Sequence, residues 1–92
     1  MTASPRTVRP AAVAGTFYPA QPEVLRSALR RAFARAERPA VGIPTPRALI
    51  VPHAGYVYSG PVAASAYLRL RRAQPTIRRV VLIGPSHRVA LE

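Results

Sequence analysis

The sequence predicts an α/β fold built on a βαβ unit whose two strands are parallel. Two short, continuous apolar runs, residues 48–51 and 80–83, are typical of strands buried on both faces. A segment with helical spacing of apolar residues lies between them. Strand, helix and strand in this order make the two strands parallel neighbours or near-neighbours in one sheet.

A further helix is predicted before this unit. Apolar residues recur with helical spacing over residues 25–36 and form one stripe, with arginines on the opposite face. The helix is expected to begin at Pro22 and to be ended by Pro39. Phe33 on this helix and Tyr67 on the next have aliphatic neighbours at helical spacing, so both are predicted to be core residues.

The segment that follows the first predicted strand is expected to be a loop. It runs from His53 to Gly60 and is rich in glycine and tyrosine. Pro61 stands where the first turn of a helix tolerates proline, so the second helix is expected to start there. Gln74 and Pro75 are expected to stop it.

Length and composition limit the class of protein. With 92 residues the chain holds at most one domain, of which residues 1–8 are expected to be flexible. No apolar run approaches the roughly 20 residues of a membrane helix, and the N-terminus lacks the apolar stretch of a secretory signal. There is no cysteine, so these residues offer neither disulfides nor thiolate ligands. The expected location is cytoplasmic, without membrane binding.

The net charge of +11 raises the question of nucleic-acid binding. All 14 basic residues are arginines, and they are dispersed along the chain, as is typical of solvated helix faces. Arginine without lysine, together with abundant alanine and no aspartate, indicates the codon usage of a GC-rich genome. Nucleic acid is therefore not the expected partner. Another interpretation is that acidic residues outside these 92 residues balance the charge.

The two histidines occupy equivalent positions beyond the two predicted strands. His53 follows Val51 by two residues, and His87 follows Ile83 by four. Ligands bind at the carboxyl ends of parallel strands, and neighbouring strands are only about 4.8 Å apart. Neutral imidazole is a common metal ligand, so the pattern predicts a shared metal site that still needs a third protein ligand. The alternative is that each histidine is a surface or hydrogen-bonding residue.

Four aromatic residues fall in the two glycine-containing loops: Phe17, Tyr18, Tyr56 and Tyr58. They are predicted either to anchor these loops or to line a pocket near the histidines. Ser86 is a candidate for the same pocket, with a turn residue as the alternative. Nucleophilic catalysis by a serine is disfavoured, because the chain has no aspartate to orient a histidine.

Three motifs in combination resemble the Memo family, whose bacterial and archaeal members are known as AmmeMemoRadiSam system protein B. They are residues 14–19 (AGTFYP), 52–60 (PHAGYVYSG) and 82–87 (LIGPSH). The resemblance covers the chain from Arg9 onward. Known members are much longer, so it implies that these residues are the N-terminal part of a larger domain.

The resemblance implies an α/β sandwich similar to class III extradiol dioxygenases, with a non-haem metal site. His53 and His87 correspond to the family's two histidine ligands, and iron or copper is the implied metal. The family's third ligand is a cysteine far downstream, so the site is incomplete within this chain. The implied function is metal binding of a dioxygenase-like kind with a redox role. AMMECR-type and radical-SAM proteins are the implied partners.

Ring cleavage is not the accepted activity of the family, so the sequence leaves open whether this protein is an enzyme. The alternative function is a non-catalytic module that binds a peptide or small ligand in the aromatic-lined pocket. Because two strands leave sheet edges unpaired, we expect the isolated chain to be poorly soluble or oligomeric. With two imidazoles only, it is expected to bind iron weakly.

Overall fold

The computed structural model describes residues 7–87, whose regular structure is helical. Helix α1 spans Pro22–Arg35 and helix α2 spans Tyr56–Tyr67; two short 3₁₀ turns follow, Leu68–Leu70 and Gln74–Thr76. The flexibility expected for residues 1–8 concerns mainly residues 1–6, which lie outside this range.

Helix α1 begins where the sequence predicts. Pro22 fits the first turn, because the N–H that proline lacks has no intrahelical partner there. Glu23 lies near the positive end of the helix dipole and Arg35 near its negative end, and both placements are favourable. The predicted start of α1 is confirmed, whereas its end comes earlier than expected, at Arg35, because the chain already turns to an extended conformation at Ala36, ahead of Pro39.

Helix α2 begins at Tyr56 rather than at Pro61, so the predicted loop is wrong for residues 56–60. The carbonyl of Gly55 accepts the N–H of Ser59 at 3.0 Å, and the Ser59 hydroxyl donates to the carbonyl of Ala54 at 2.8 Å. These bonds close a first turn ahead of Pro61, which lies inside the helix and removes one backbone donor there.

The two helices pack together through small residues. A Cβ atom on Gly60 would lie 3.5 Å from the Cβ of Ala32, an ordinary van der Waals distance, so this position of α2 lies directly against α1. Ala64 of α2 is buried, with 4% of its surface exposed. The Ser65 hydroxyl also accepts the N–H of Glu37 at 2.9 Å, which ties the chain beyond α1 to α2. The resulting core is small.

The predicted βαβ unit, and with it the α/β fold class, is wrong. Within residues 7–87, residues 48–51 and 80–83 form no strand, and β pairing is limited to an isolated bridge between Ala14 and Tyr18. An apolar run indicates what a strand would bury, but a strand also needs a neighbour for its hydrogen bonds and cover for its side chains. Ile50 is 99% exposed and residues 80–83 are 79–89% exposed. The described fold is therefore helical.

The predicted core positions of Phe33 and Tyr67 are also wrong. Their side chains are 40% and 44% exposed, because nothing in residues 7–87 covers this side of α1 and the end of α2.

Across the same part of the chain, no helix combines the length and apolar character needed to cross a membrane.

Candidate functional site: a histidine pair and an aromatic cleft

His53 and His87 lie side by side. Their Nε2 atoms are 3.2 Å apart, and their ring centroids are 5.4 Å apart with the ring planes inclined by 31°. Both residues are exposed. With both rings neutral, one Nε2–H donates to the lone pair of the other, and the tautomers decide which ring is the donor. The two histidines therefore meet although no strands bring them together.

The spacing of the two Nε2 atoms suits two ligands of one metal ion. Histidine nitrogens lie about 2.1 Å from a bound zinc ion, so two of them are about 3.4 Å apart in a tetrahedral site and about 3.0 Å apart at a right angle. The observed distance of 3.2 Å lies between these values. Imidazole is a suitable ligand for zinc, copper, iron and nickel. The pair thus fits part of a metal site.

A third ligand is missing from this part of the chain. Within residues 7–87, no group of three or more histidine, cysteine, aspartate or glutamate residues could hold a metal ion. The chain has no cysteine and three acidic residues, of which Glu92 lies outside the described range. A complete site would have at least three protein ligands, so these two imidazoles form a partial site.

A tight turn at residues 13–18 positions Phe17. Gly15 has a φ of +86°, a conformation that favours glycine, and its N–H donates to the Tyr18 carbonyl at 2.7 Å. The N–H of Phe17 donates to the Val13 carbonyl at 3.0 Å, and the Phe17 carbonyl accepts the N–H of Tyr56 at 2.9 Å. The bond between Tyr56 and Phe17 joins the motif at residues 14–19 to the start of α2.

The four aromatic residues singled out from the sequence line one cleft of about 650 Å³, which we call the aromatic cleft. It lies between the turn, α1 and the start of α2. The rings of Tyr18 and Tyr56 have centroids 5.6 Å apart and are inclined by 34°. Tyr58 is 83% exposed and therefore lies at the rim.

Sequence reasoning missed two further residues of the aromatic cleft, Arg31 and Arg35. They belong to the arginine face of α1, which the sequence pattern predicts to be a solvated surface. Their spacing of four residues places both guanidinium groups on the same side of the helix, and this was the available signal.

Neither histidine lines the aromatic cleft, and Ser86 does not line it either. Ser86 is exposed and precedes His87 in the chain. The predicted pocket residues thus separate into two groups: the aromatics share the cleft, while Ser86 belongs to the segment that carries the histidine.

Comparison with known proteins matches the chain to one family. The family model described as Memo-like protein matches residues 9–92. MEMO1 family proteins of Ignicoccus hospitalis, Aquifex aeolicus and Methanococcoides burtonii are 46%, 40% and 41% identical to it over 87, 80 and 80 residues. These matches cover 87% of this chain but only 30%, 27% and 28% of the relatives, so the chain spans about 30% of their length. No solved structure gives a significant match.

Proposed function

Because this chain belongs to the Memo family, we propose that His53 and His87 are two ligands of a non-haem metal ion. The observation that supports this proposal is the 3.2 Å separation of their Nε2 atoms. Iron is the metal we propose, with copper as the alternative, since imidazole suits both. A bound iron ion would supply dioxygenase-like redox chemistry if some of its coordination positions stay open.

The task of the two histidines is to hold and orient the ion. His53 precedes the first turn of α2, where the bond from the Tyr56 N–H to the Phe17 carbonyl holds the backbone. Both rings are exposed, so the Nε2 atoms are open to a further ligand and to small molecules. Residues 7–87 offer no third ligand, so the complete site takes one from outside this range.

The cellular setting is also a proposal, supported by family membership alone. We propose that the protein acts in the cytoplasm, within the AmmeMemoRadiSam system. The partners are then AMMECR-type and radical-SAM proteins.

Anaerobic titration of Fe(II) into the chain and its variants tests the metal proposal. Removing a residue that only orients a metal ligand through a hydrogen bond weakens metal binding by about 10–100-fold. His53→Ala and His87→Ala remove the ligands themselves, so each should weaken binding by at least about tenfold. Tyr58→Ala is the matched control, because Tyr58 is exposed and lines the aromatic cleft instead. Unchanged iron affinity in both histidine variants would refute the proposal.

The aromatic cleft supports a second function of a different class: a non-catalytic module that binds a peptide or small ligand. Its volume of about 650 Å³ is within the range of small-molecule sites, about 300–1,000 Å³. A small-molecule fragment library, screened by NMR for shifts of the Tyr18 and Tyr56 signals, supplies the probes. A hit that needs Tyr58 but tolerates His53→Ala favours this function. A hit that binds only in the presence of metal favours the first.

A further inference from the structure

Ser59 is the buried polar side chain of residues 7–87. It is 6% exposed, whereas His53 at the candidate metal site is exposed. Gly55, which lies between these two residues in the chain, is buried as well. A buried hydroxyl needs a hydrogen-bond partner, so the partner of Ser59 shows which part of the backbone its side chain holds.

The Ser59 hydroxyl bonds to the backbone ahead of its own helix. It donates to the carbonyl of Ala54 at 2.8 Å and, at a longer distance of 3.3 Å, to that of Gly55. A serine inside a helix ordinarily bonds the carbonyl four residues before it, as Ser65 does at 2.9 Å. Ala54 is five residues before Ser59 and lies outside α2, directly after His53. The shorter bond of Ser59 therefore holds the segment to which the histidine belongs.

Backbone bonds hold the next peptide group, between Gly55 and Tyr56. Its carbonyl accepts the N–H of Ser59 at 3.0 Å, and its N–H donates to the Phe17 carbonyl at 2.9 Å. Neither bond needs the hydroxyl, because both join backbone atoms. What the hydroxyl adds is a hold on the peptide group one step nearer to His53, and this hold depends on the side chain at position 59.

On the basis of the metal site proposed above, we propose that Ser59 is a positioning residue for His53. Its hydroxyl fixes the backbone from which the His53 imidazole reaches the ring of His87, so that the two Nε2 atoms lie 3.2 Å apart. An exposed ring has few neighbours of its own, so the course of its backbone decides where its nitrogen lies. Metal ligands must be held within about 0.5 Å of the working geometry, and the bond from Ser59 supplies part of that hold.

The approach of the two rings in the metal-free chain gives the first test. In the full 92-residue chain, a nuclear Overhauser effect (NOE) should connect the ring protons of His53 and His87. Ser59→Ala should abolish this NOE, because the bond to Ala54 is lost. Alanine is the better helix former, so the loss would not come from lower helix propensity. Ser65→Ala is the matched control, because its hydroxyl also lies on α2 and bonds backbone atoms, but away from the histidines.

Metal affinity gives the second test. Titrated with Zn²⁺, Ser59→Ala should bind about tenfold more weakly than the unsubstituted chain, the lower end of the effect of residues that orient a ligand. Ser59→Thr keeps a hydroxyl on the β-carbon, so it should restore both the NOE and the affinity. Threonine has no higher helix propensity than serine, so this rescue would not come from a more stable helix.

Three results would overturn the proposal, each in a chain with unchanged circular dichroism. The first is an NOE that is absent from the unsubstituted chain or persists in Ser59→Ala. The second is equal loss of the NOE in Ser65→Ala, and the third is its loss in Ser59→Thr, which keeps the hydroxyl. Failure of the metal site gives a different pattern: His53→Ala and His87→Ala would leave the affinity for Zn²⁺ unchanged, while the NOE would still report whether Ser59 positions the ring.

Discussion

The Nε2 atoms of His53 and His87 lie 3.2 Å apart, although 34 positions separate the two residues in the chain. His53 precedes the first turn of α2, and His87 ends the described range. Within residues 7–87, neither residue belongs to a strand, so the pair depends on tertiary contacts rather than on a sheet. This dependence makes the pair sensitive to the contacts around it.

The two imidazoles should respond to a metal ion together. Zn²⁺ added to the chain should shift the ring signals of His53 and His87 over the same concentration range in NMR spectra, because one ion would contact both Nε2 atoms. In His53→Ala, the His87 signals should shift only at metal concentrations about tenfold higher or more. Two separate titration curves in the unsubstituted chain would contradict a shared site.

Gly15→Ala should loosen the junction between the turn and α2. Alanine at a φ of +86° is strained by about 1–2 kcal/mol. The Tyr56 N–H, bonded to the Phe17 carbonyl, should then exchange with solvent about 5–30 times faster, measured by NMR hydrogen exchange. Gly84→Ala is the control, because Gly84 has no positive φ and its added Cβ would meet no atom within 4 Å. Equal exchange rates in the two variants would show that the strain at Gly15 is not coupled to α2.

Replacing Gly60 tests the contact between the helices. Alanine there should raise the stability of α2 by up to about 1 kcal/mol, since its Cβ would be in ordinary contact with Ala32 at 3.5 Å. Leucine should destabilise the pair, because its longer side chain would push α1 away. Thermal unfolding, monitored by far-UV circular dichroism, distinguishes the alanine variant from the leucine variant. A leucine variant as stable as the alanine variant would mean that Gly60 is not at a close helix contact.

Ser59→Ala should weaken the first turn of α2. The Ser59 hydroxyl, buried with 6% of the residue exposed, donates to the carbonyls of Ala54 at 2.8 Å and Gly55 at 3.3 Å. Losing these bonds should destabilise the turn by about 1 kcal/mol, read from faster amide exchange in residues 56–60. Ser27→Ala, which loses only a long 3.4 Å bond from Arg31 on the surface, should have no such effect. Unchanged exchange in Ser59→Ala would mean that the backbone alone holds the turn.

Residues 80–83 should make the chain self-associate. Val80, Val81, Leu82 and Ile83 are 79–89% exposed, and such an uncharged apolar run, rich in β-branched residues, is prone to association. Leu82→Glu should lower the association measured by sedimentation velocity, whereas Thr76→Glu should not. A chain that stays monomeric at high concentration without substitution would contradict this prediction.

The sequence by itself determined the features that depend on neighbouring residues. The start of α1 at Pro22 follows from proline in the first turn, and its amphipathic stripe follows from helical spacing. Family membership also came from local motifs and is confirmed by the comparisons. Each of these features can be predicted from a short stretch of sequence, without knowing what the segment will contact.

Tertiary structure decided everything that depends on contact between distant segments. The first turn of α2 is closed by local bonds of Ser59, but its first N–H, that of Tyr56, is accepted by Phe17, which lies far away in sequence. Residues 80–83 are apolar enough for a buried strand but form none, because pairing needs a neighbour that residues 7–87 do not supply. The aromatic residues of two separate segments line one cleft only when the turn and the start of α2 pack together. Local propensity is a property of the residue and its neighbours, whereas pairing, burial and a binding surface belong to the whole set of contacts.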